Sequence, residues 1–150
     1  MNLKYMNIAI DEAKKAFANN EVPVGTVIVK NDVIISKAYN KKEKNNCAVC
    51  HAEILAIKKA SEKINNWRLD DCEIYITLEP CPMCASAIRQ SRIKTVYAGL
   101  HNSNCENSNI IKQIFCSKSN DSIVQFHNDV CPEKVLQLMK KFFQSRRNSN

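Results

Sequence analysis

The order of apolar patterns along the chain predicts an α/β fold, and three observations carry that expectation. A helical stripe is followed at once by two β-patterned runs joined by a tight polar turn. A strand, a proline-led helix and another strand then follow in close succession. A basic amphipathic helix closes the sequence. The 150 residues, 45% hydrophobic and 25% charged, are enough for one compact domain over 1–150 with its own core.

Within residues 2–19, Met6, Ala9, Ile10, Ala13 and Phe17 recur at three- and four-residue steps, with Lys4, Asp11, Lys14 and Lys15 facing outward. Glu21-Val22-Pro23-Val24-Gly25 breaks that helix. Residues 24–29 read as a strand, Lys30-Asn31-Asp32 as a turn, and 33–38 as the antiparallel return. The polar run 40–46 is a loop. Residues 51–63 form a second helix, with Ile54, Leu55 and Ile57, and then Ala60 and Ile64, expected toward the core. A connector follows, in which Trp67 is expected as a core plug. Residues 73–78 read as a half-buried strand with Ile74, Ile76 and Leu78 inward. Pro80 stops it, and Pro82 suits the first turn of a helix over 81–91. A strand at 95–98 completes a βαβ-like crossover. Beyond Gly99 the pattern thins to a short helix around 110–115 and a last strand at 122–126. Pro132 opens the closing helix, with Val135, Leu138, Met139 and Phe142 on one face.

No window approaches the ~20 apolar residues that span a bilayer. Residues 1–20 interleave charges with apolar positions, unlike a signal peptide, so a soluble, cytoplasmic protein is expected. In a reducing compartment the close pairs among the eight cysteines read as metal ligands rather than disulfides. Cys72 and Cys116 are expected as small buried hydrophobes, and Cys105, Cys131 and His127 lack ligand spacing. The net charge is +7 and the pI about 9.0, with five basic residues against Glu133 alone in 132–150, so a polyanionic partner is expected.

The chemistry concentrates in two short segments. Cys81-Pro82-Met83-Cys84 presents two thiolates at a spacing that suits one tetrahedral zinc, and His51 supplies a third ligand. A fourth position then stays open for water, as in catalytic sites rather than closed structural ones. Glu53 stands too close to His51 to be the fourth ligand but can reach a metal-bound water. Residues i and i+2 diverge around a regular helix. His51 and Glu53 therefore converge only if His51 starts the helix and the metal lies off its end, at the positive helix pole. The loop after the second strand brings Asn40 to the same place.

His51-Ala52-Glu53-Ile54 together with Thr77-Leu78-Glu79-Pro80-Cys81-Pro82-Met83-Cys84-Ala85 resembles the cytidine deaminase-like superfamily of zinc enzymes. Glu21-Val22-Pro23-Val24-Gly25, Ser91-Arg92-Ile93 and Phe142-Phe143 followed by Arg146-Arg147 are similar to its branch of bacterial tRNA-specific adenosine deaminases. The resemblance runs from the first helix to about Gly99 and resumes in the last helix. It implies a three-layer α/β/α fold with a mixed five-stranded sheet, and a homodimer with one Zn2+ per subunit. It also implies hydrolytic conversion of the wobble adenosine in a tRNA anticodon stem-loop to inosine. His51, Cys81 and Cys84 would hold zinc, Asn40 would bond the base, and Ala52 and Pro80 would line its pocket. Glu53 would move a proton from the activated water to ring N1 and help the C6 amino group leave as ammonia. His101, Asn102, Phe142, Phe143, Arg146 and Arg147 are the candidate RNA contacts. Three departures from the family pattern, Cys47-Ala48-Val49-Cys50 before His51, His101-Asn102 after the fourth strand and Gln144 after Phe143, imply altered RNA selection.

Rival readings share some of these residues. A free-base guanine or cytosine deaminase would use the same zinc set, but the basic last helix favours RNA. A four-cysteine zinc ribbon from Cys47, Cys50, Cys81 and Cys84 would be a closed nucleic-acid-binding module and would leave Glu53 without a task. Cys47-Ala48-Val49-Cys50-His51 also fits the c-type haem attachment pattern, which would take His51 from the metal and leave Cys81 and Cys84 unexplained.

Overall fold

The computed structural model describes residues 1–103, 107–117 and 123–149. Helix α1 (Leu3–Ala18) starts at Asn2, whose side chain accepts the Lys4 N–H at 3.0 Å and caps the first turn. Strands β1 (Gly25–Lys30) and β2 (Val33–Tyr39) pair antiparallel around Asn31 and Asp32, at φ 49° and 61°. Two successive positive φ values make a type I′ turn, whose twist matches that of the strands. Gly25 begins β1 where α1 passes closest, since a Cβ there would run into the Ala9 carbonyl and the Ala13 amide. The chain continues through α2 (Ala52–Ile64), β3 (Cys72–Leu78), α3 (Pro82–Gln90) and β4 (Thr95–Leu100). Then come α4 (Asn107–Cys116), β5 (Gln125–His127) and α5 (Pro132–Asn148).

The sheet order is β2-β1-β3-β4-β5, antiparallel at β2–β1 and β1–β3 and parallel at β3–β4 and β4–β5. This is a mixed five-stranded sheet. Ile28, Ile74, Ile76 and Val96 pack with Ala56, Ala60, Ala85 and Ile88 from α2 and α3, and with Ile111 of α4. Val27, Val29, Tyr75 and Tyr97 point the other way, against Met6, Ala9 and Ile10 of α1 and Val135 of α5. Alternate strand residues therefore serve two cores, and helices cover both faces in three layers.

That topology corrects several expectations. The strand at 73–78 is not half-buried: as the central strand β3 it is covered on both faces. Its polar positions Tyr75 and Thr77 are buried, their hydroxyl oxygens accepting the Asn2 and Gly25 N–H groups at 3.1 Å each. On α2 the fully buried apolar edge is Ala52, Ala56 and Ala60, while Ile54, Leu55, Ile57 and Ile64 are only half-buried. Small side chains let the helix lie close to the sheet, so the larger ones fall at its flanks. Trp67 is not a core plug: it is 59% exposed in the turn after α2, with the Arg68 guanidinium 5.5 Å from its ring centroid. Cys72 is buried, but Cys116 at the end of α4 is exposed. The last strand is Gln125–His127, and Ser122 and Cys105 lie outside the described residues. Among the described residues no helix is long and apolar enough to cross a membrane.

Candidate active site

Two helix starts converge at one end of the sheet. His51 is the N-cap of α2 (φ −72°, ψ 153°) and Cys81 the N-cap of α3 (φ −70°, ψ 167°). Neither side chain caps its own helix, so both point away from it and toward each other. Pro82 at the first position of α3 fixes the turn without wasting an N–H, and Cys84 follows on the first turn. His51 Nδ1 lies 3.7 Å from Cys81 Sγ and 3.5 Å from Cys84 Sγ. A tetrahedral zinc, with Zn–S near 2.3 Å and Zn–N near 2.0 Å, sets its nitrogen and sulfur ligands about 3.6 Å apart. The three donors thus stand at the spacing of a tetrahedral site, and all their ligand atoms lie within 4.8 Å of one another.

The electrostatics suit a cation. Cys81 is pushed down to about 4 by a hydrogen bond from Cys84 and, against its burial, by His51. Cys84 is pushed up, chiefly because it gives that hydrogen bond and because it is buried. Both helix N-termini add positive potential that favours thiolate. A divalent ion would displace the shared proton, as thiolate sites do on metallation.

Glu53 is in the first turn of α2 and 4% exposed. Burial raises its carboxyl to about 6, opposed by its own backbone N–H and by His51. Its Oε2 is buried with no hydrogen-bond partner among the described residues. An orphaned buried carboxylate oxygen costs about 1–3 kcal/mol or more. Its persistence beside a metal-type cluster marks a place where substrate or solvent completes the bonding.

A cavity of about 260 Å³ opens over this floor, lined by His51, Ala52, Glu53, Cys81 and Asn40. Asn40 is buried; its amide nitrogen donates to the Val22 carbonyl and its oxygen accepts the Lys42 N–H, both at 3.3 Å. Pro80 is buried but does not line the cavity. Sequence reasoning missed Val22, Val24, Leu78, Glu79 and Lys42 on its walls. Glu79 stood in plain view between Leu78 and Pro80. Its buried carboxylate accepts the Asn102 N–H at 2.9 Å and the Ser108 hydroxyl at 3.3 Å, tying residues 102 and 108 to the turn before Cys81.

A larger groove of about 620 Å³ shares Val22, Leu78 and Asn102 with the cavity. His101, Phe143 and Arg147 also line it, as does Gln144, and they are joined by Lys140 of α5, which the sequence had not singled out for RNA contact. Phe142 does not line it: it is buried edge-on against Phe17. Arg146 is turned away as well, with its guanidinium 4.9 Å from the centroid of the Phe142 ring and donating to the Asn20 carbonyl at 2.7 Å. His101 gives its backbone N–H to Asp129 and sets its ring Nδ1 beside the same carboxylate, both at 2.9 Å, which raises its pKa. Cys47 and Cys50 do not join His51, Cys81 and Cys84, so the four-cysteine cluster is not assembled.

The sequence model of the MafB19-like deaminase family matches residues 1–147. The chain belongs to the MafB19-like deaminase family. Its match takes in the stretch after Gly99 that the motifs had left out. The tRNA-specific adenosine deaminase of Rickettsia bellii is 43% identical over 147 residues, covering 95% of this chain and 100% of that protein. A solved structure from a study of A-to-I editing by tRNA:A34 deaminases at the wobble position superposes with a TM-score of 0.84 at 28% identity, covering 91% of this chain and 99% of that one. Guanine deaminase from Bacillus subtilis superposes with a TM-score of 0.68 at 31% identity, covering 99% and 95%. The fold is therefore cytidine deaminase-like, as the motifs implied.

Proposed function

We propose that the chain is a single zinc-dependent deaminase domain that hydrolyses the wobble adenosine of a tRNA anticodon to inosine. The observation that carries this reading is the buried Glu53 carboxylate, one oxygen of which has no hydrogen-bond partner among the described residues, beside a His-Cys-Cys cluster at tetrahedral spacing, in a cavity that adjoins a basic groove. His51, Cys81 and Cys84 would hold one Zn2+ per subunit. When bound, zinc supplies an activated water in the position those three donors leave open.

Glu53 would accept a proton at its buried carboxylate as the attacking water loses it. Its desolvated carboxyl, raised to about 6, holds a proton near neutrality better than an exposed glutamate does. It would return the proton to ring N1 as the C6–O bond forms, then carry the proton of the new C6 hydroxyl to the amino nitrogen, so that the C6–N bond breaks with ammonia as the leaving group and a C6 carbonyl remains. The Asn40 amide, which makes two 3.3 Å contacts among the described residues, has donor and acceptor capacity left to orient the base. Ala52, with no side chain beyond Cβ, leaves room for the ring. A cavity of about 260 Å³ suits one extruded base, and the groove beside it takes the neighbouring nucleotides. The working unit is a cytoplasmic homodimer, in keeping with the tRNA substrate.

The likeness to Bacillus subtilis guanine deaminase favours a second reading, a free-base deaminase using the same floor. Zinc-loaded protein given a tRNA anticodon stem-loop with wobble adenosine, and free guanine and cytosine in parallel, separates the two. Inosine at the wobble position supports the proposal. Turnover of a free base without RNA turnover would replace it.

A further inference from the structure

We propose that Lys42 forms a phosphate subsite at the mouth of the catalytic cavity, gripping the backbone at the target nucleotide and selecting polynucleotide over free base. The inference rests on the deaminase reading above and assigns the substrate-selecting charge of that same cavity. Among the described residues Lys42 is the only lysine or arginine that lines the cavity. It does not line the neighbouring groove, so its role is separate from that of Lys140 and Arg147. Among the described residues it has no ion-pair partner.

The backbone beneath this side chain is fixed. The Lys42 N–H donates to Asn40 Oδ1 at 3.3 Å, and its carbonyl accepts the Cys47 N–H at 3.0 Å. The Lys41 N–H donates to the Cys50 carbonyl at 3.1 Å, and the Asn45 N–H to the Lys41 carbonyl at 2.9 Å. The Lys44 N–H donates to the carboxylate of Glu21 at 2.7 Å, and Glu21 is 1% exposed. A buried carboxylate thus anchors a loop of successive turns that holds one cation at the cavity wall.

A free base offers that cation nothing to neutralise, whereas a nucleotide within RNA carries phosphate on both sides of its ribose. Lysine acts on phosphate as a mobile point charge on a long stem, which suits a rim more than a floor. Each neutralised phosphate releases counterions, so the contact carries its own signature in salt dependence.

The test compares zinc-loaded wild type, Lys42→Ala, Lys42→Arg and Lys44→Ala on the wobble-adenosine stem-loop across a salt series. Lys44 is exposed on the same loop and holds Glu21 through its backbone, so its truncation controls for a general loss of charge. Lys42→Ala is expected to raise KM about tenfold at low salt, leave kcat within about twofold, and flatten the log–log salt slope by about one. Lys42→Arg restores both, and Lys44→Ala matches wild type. Wild-type turnover with Lys42→Ala indistinguishable from Lys44→Ala, or lowered in kcat with an unchanged salt slope, overturns the subsite alone. No wild-type turnover of RNA overturns the deaminase reading and the subsite with it.

Discussion

On the cavity floor, His51, Glu53, Cys81 and Cys84 are held by the first turns of two helices that pack on the sheet. In the adjoining groove His101, Lys140, Phe143 and Arg147 come from a loop and from α5, and Phe143 is 44% exposed. The metal coordination and proton transfer proposed for the floor would tolerate errors of only a few tenths of an ångström, and the floor stands on the first turns of helices packed against the sheet. A polyanion can be met by long cationic side chains that adjust to it, so the groove can be open and polar. Substitutions on the floor should therefore act on metal content and rate. Those in the groove should act on affinity and salt dependence.

The largest effect is expected from Cys84→Ala. Removing a buried thiolate breaks the ligand set, and metal analysis should fall from about one zinc per chain to near none, with activity lost. Cys47→Ala should keep its zinc; loss of metal there would revive the closed four-cysteine site. Glu53→Gln comes next, with a fall in kcat of about 10²- to 10⁴-fold, the range for a lost general acid–base, and zinc content unchanged. Glu79→Ala lies between the two regions, because this carboxylate joins the Cys81 turn to residues 102 and 108. It should lower stability by about 1–3 kcal/mol in denaturant titration and raise KM while the protein keeps its metal. Arg147→Ala should raise KM for the stem-loop about 3- to 10-fold at low salt, with the difference shrinking as salt rises. Trp67→Ala, on the exposed turn after α2, should change stability by no more than about 0.5 kcal/mol.

The floor was legible because its residues lie in two short segments whose spacing is itself a chemical requirement. The geometric conflict between His51 and Glu53 even fixed His51 at the start of α2, where it stands as the N-cap. The groove has no such spacing. Lys140 and Gln144 meet His101 only through the packing of α5 beside β4, and no local pattern records that contact. Lys42 was hidden for the same reason, as one lysine in a polar loop. Trp67 and Cys116 were misplaced because residue type sets a tendency to burial, not a position. The central place of β3 became visible only with the full strand order, since Tyr75 and Thr77 read as solvent-facing until the second layer covers them.

The most direct measurement is wobble-inosine formation by zinc-loaded wild type, Glu53→Gln and Arg147→Ala, with kcat and KM resolved for each. Glu53→Gln should lose kcat by at least about 10²-fold while its RNA affinity stays near wild type. Arg147→Ala should keep kcat and lose only KM, in a salt-dependent way. If Glu53→Gln forms inosine at the wild-type rate, or if wild type forms none, the assignment of chemistry to the cavity floor is contradicted.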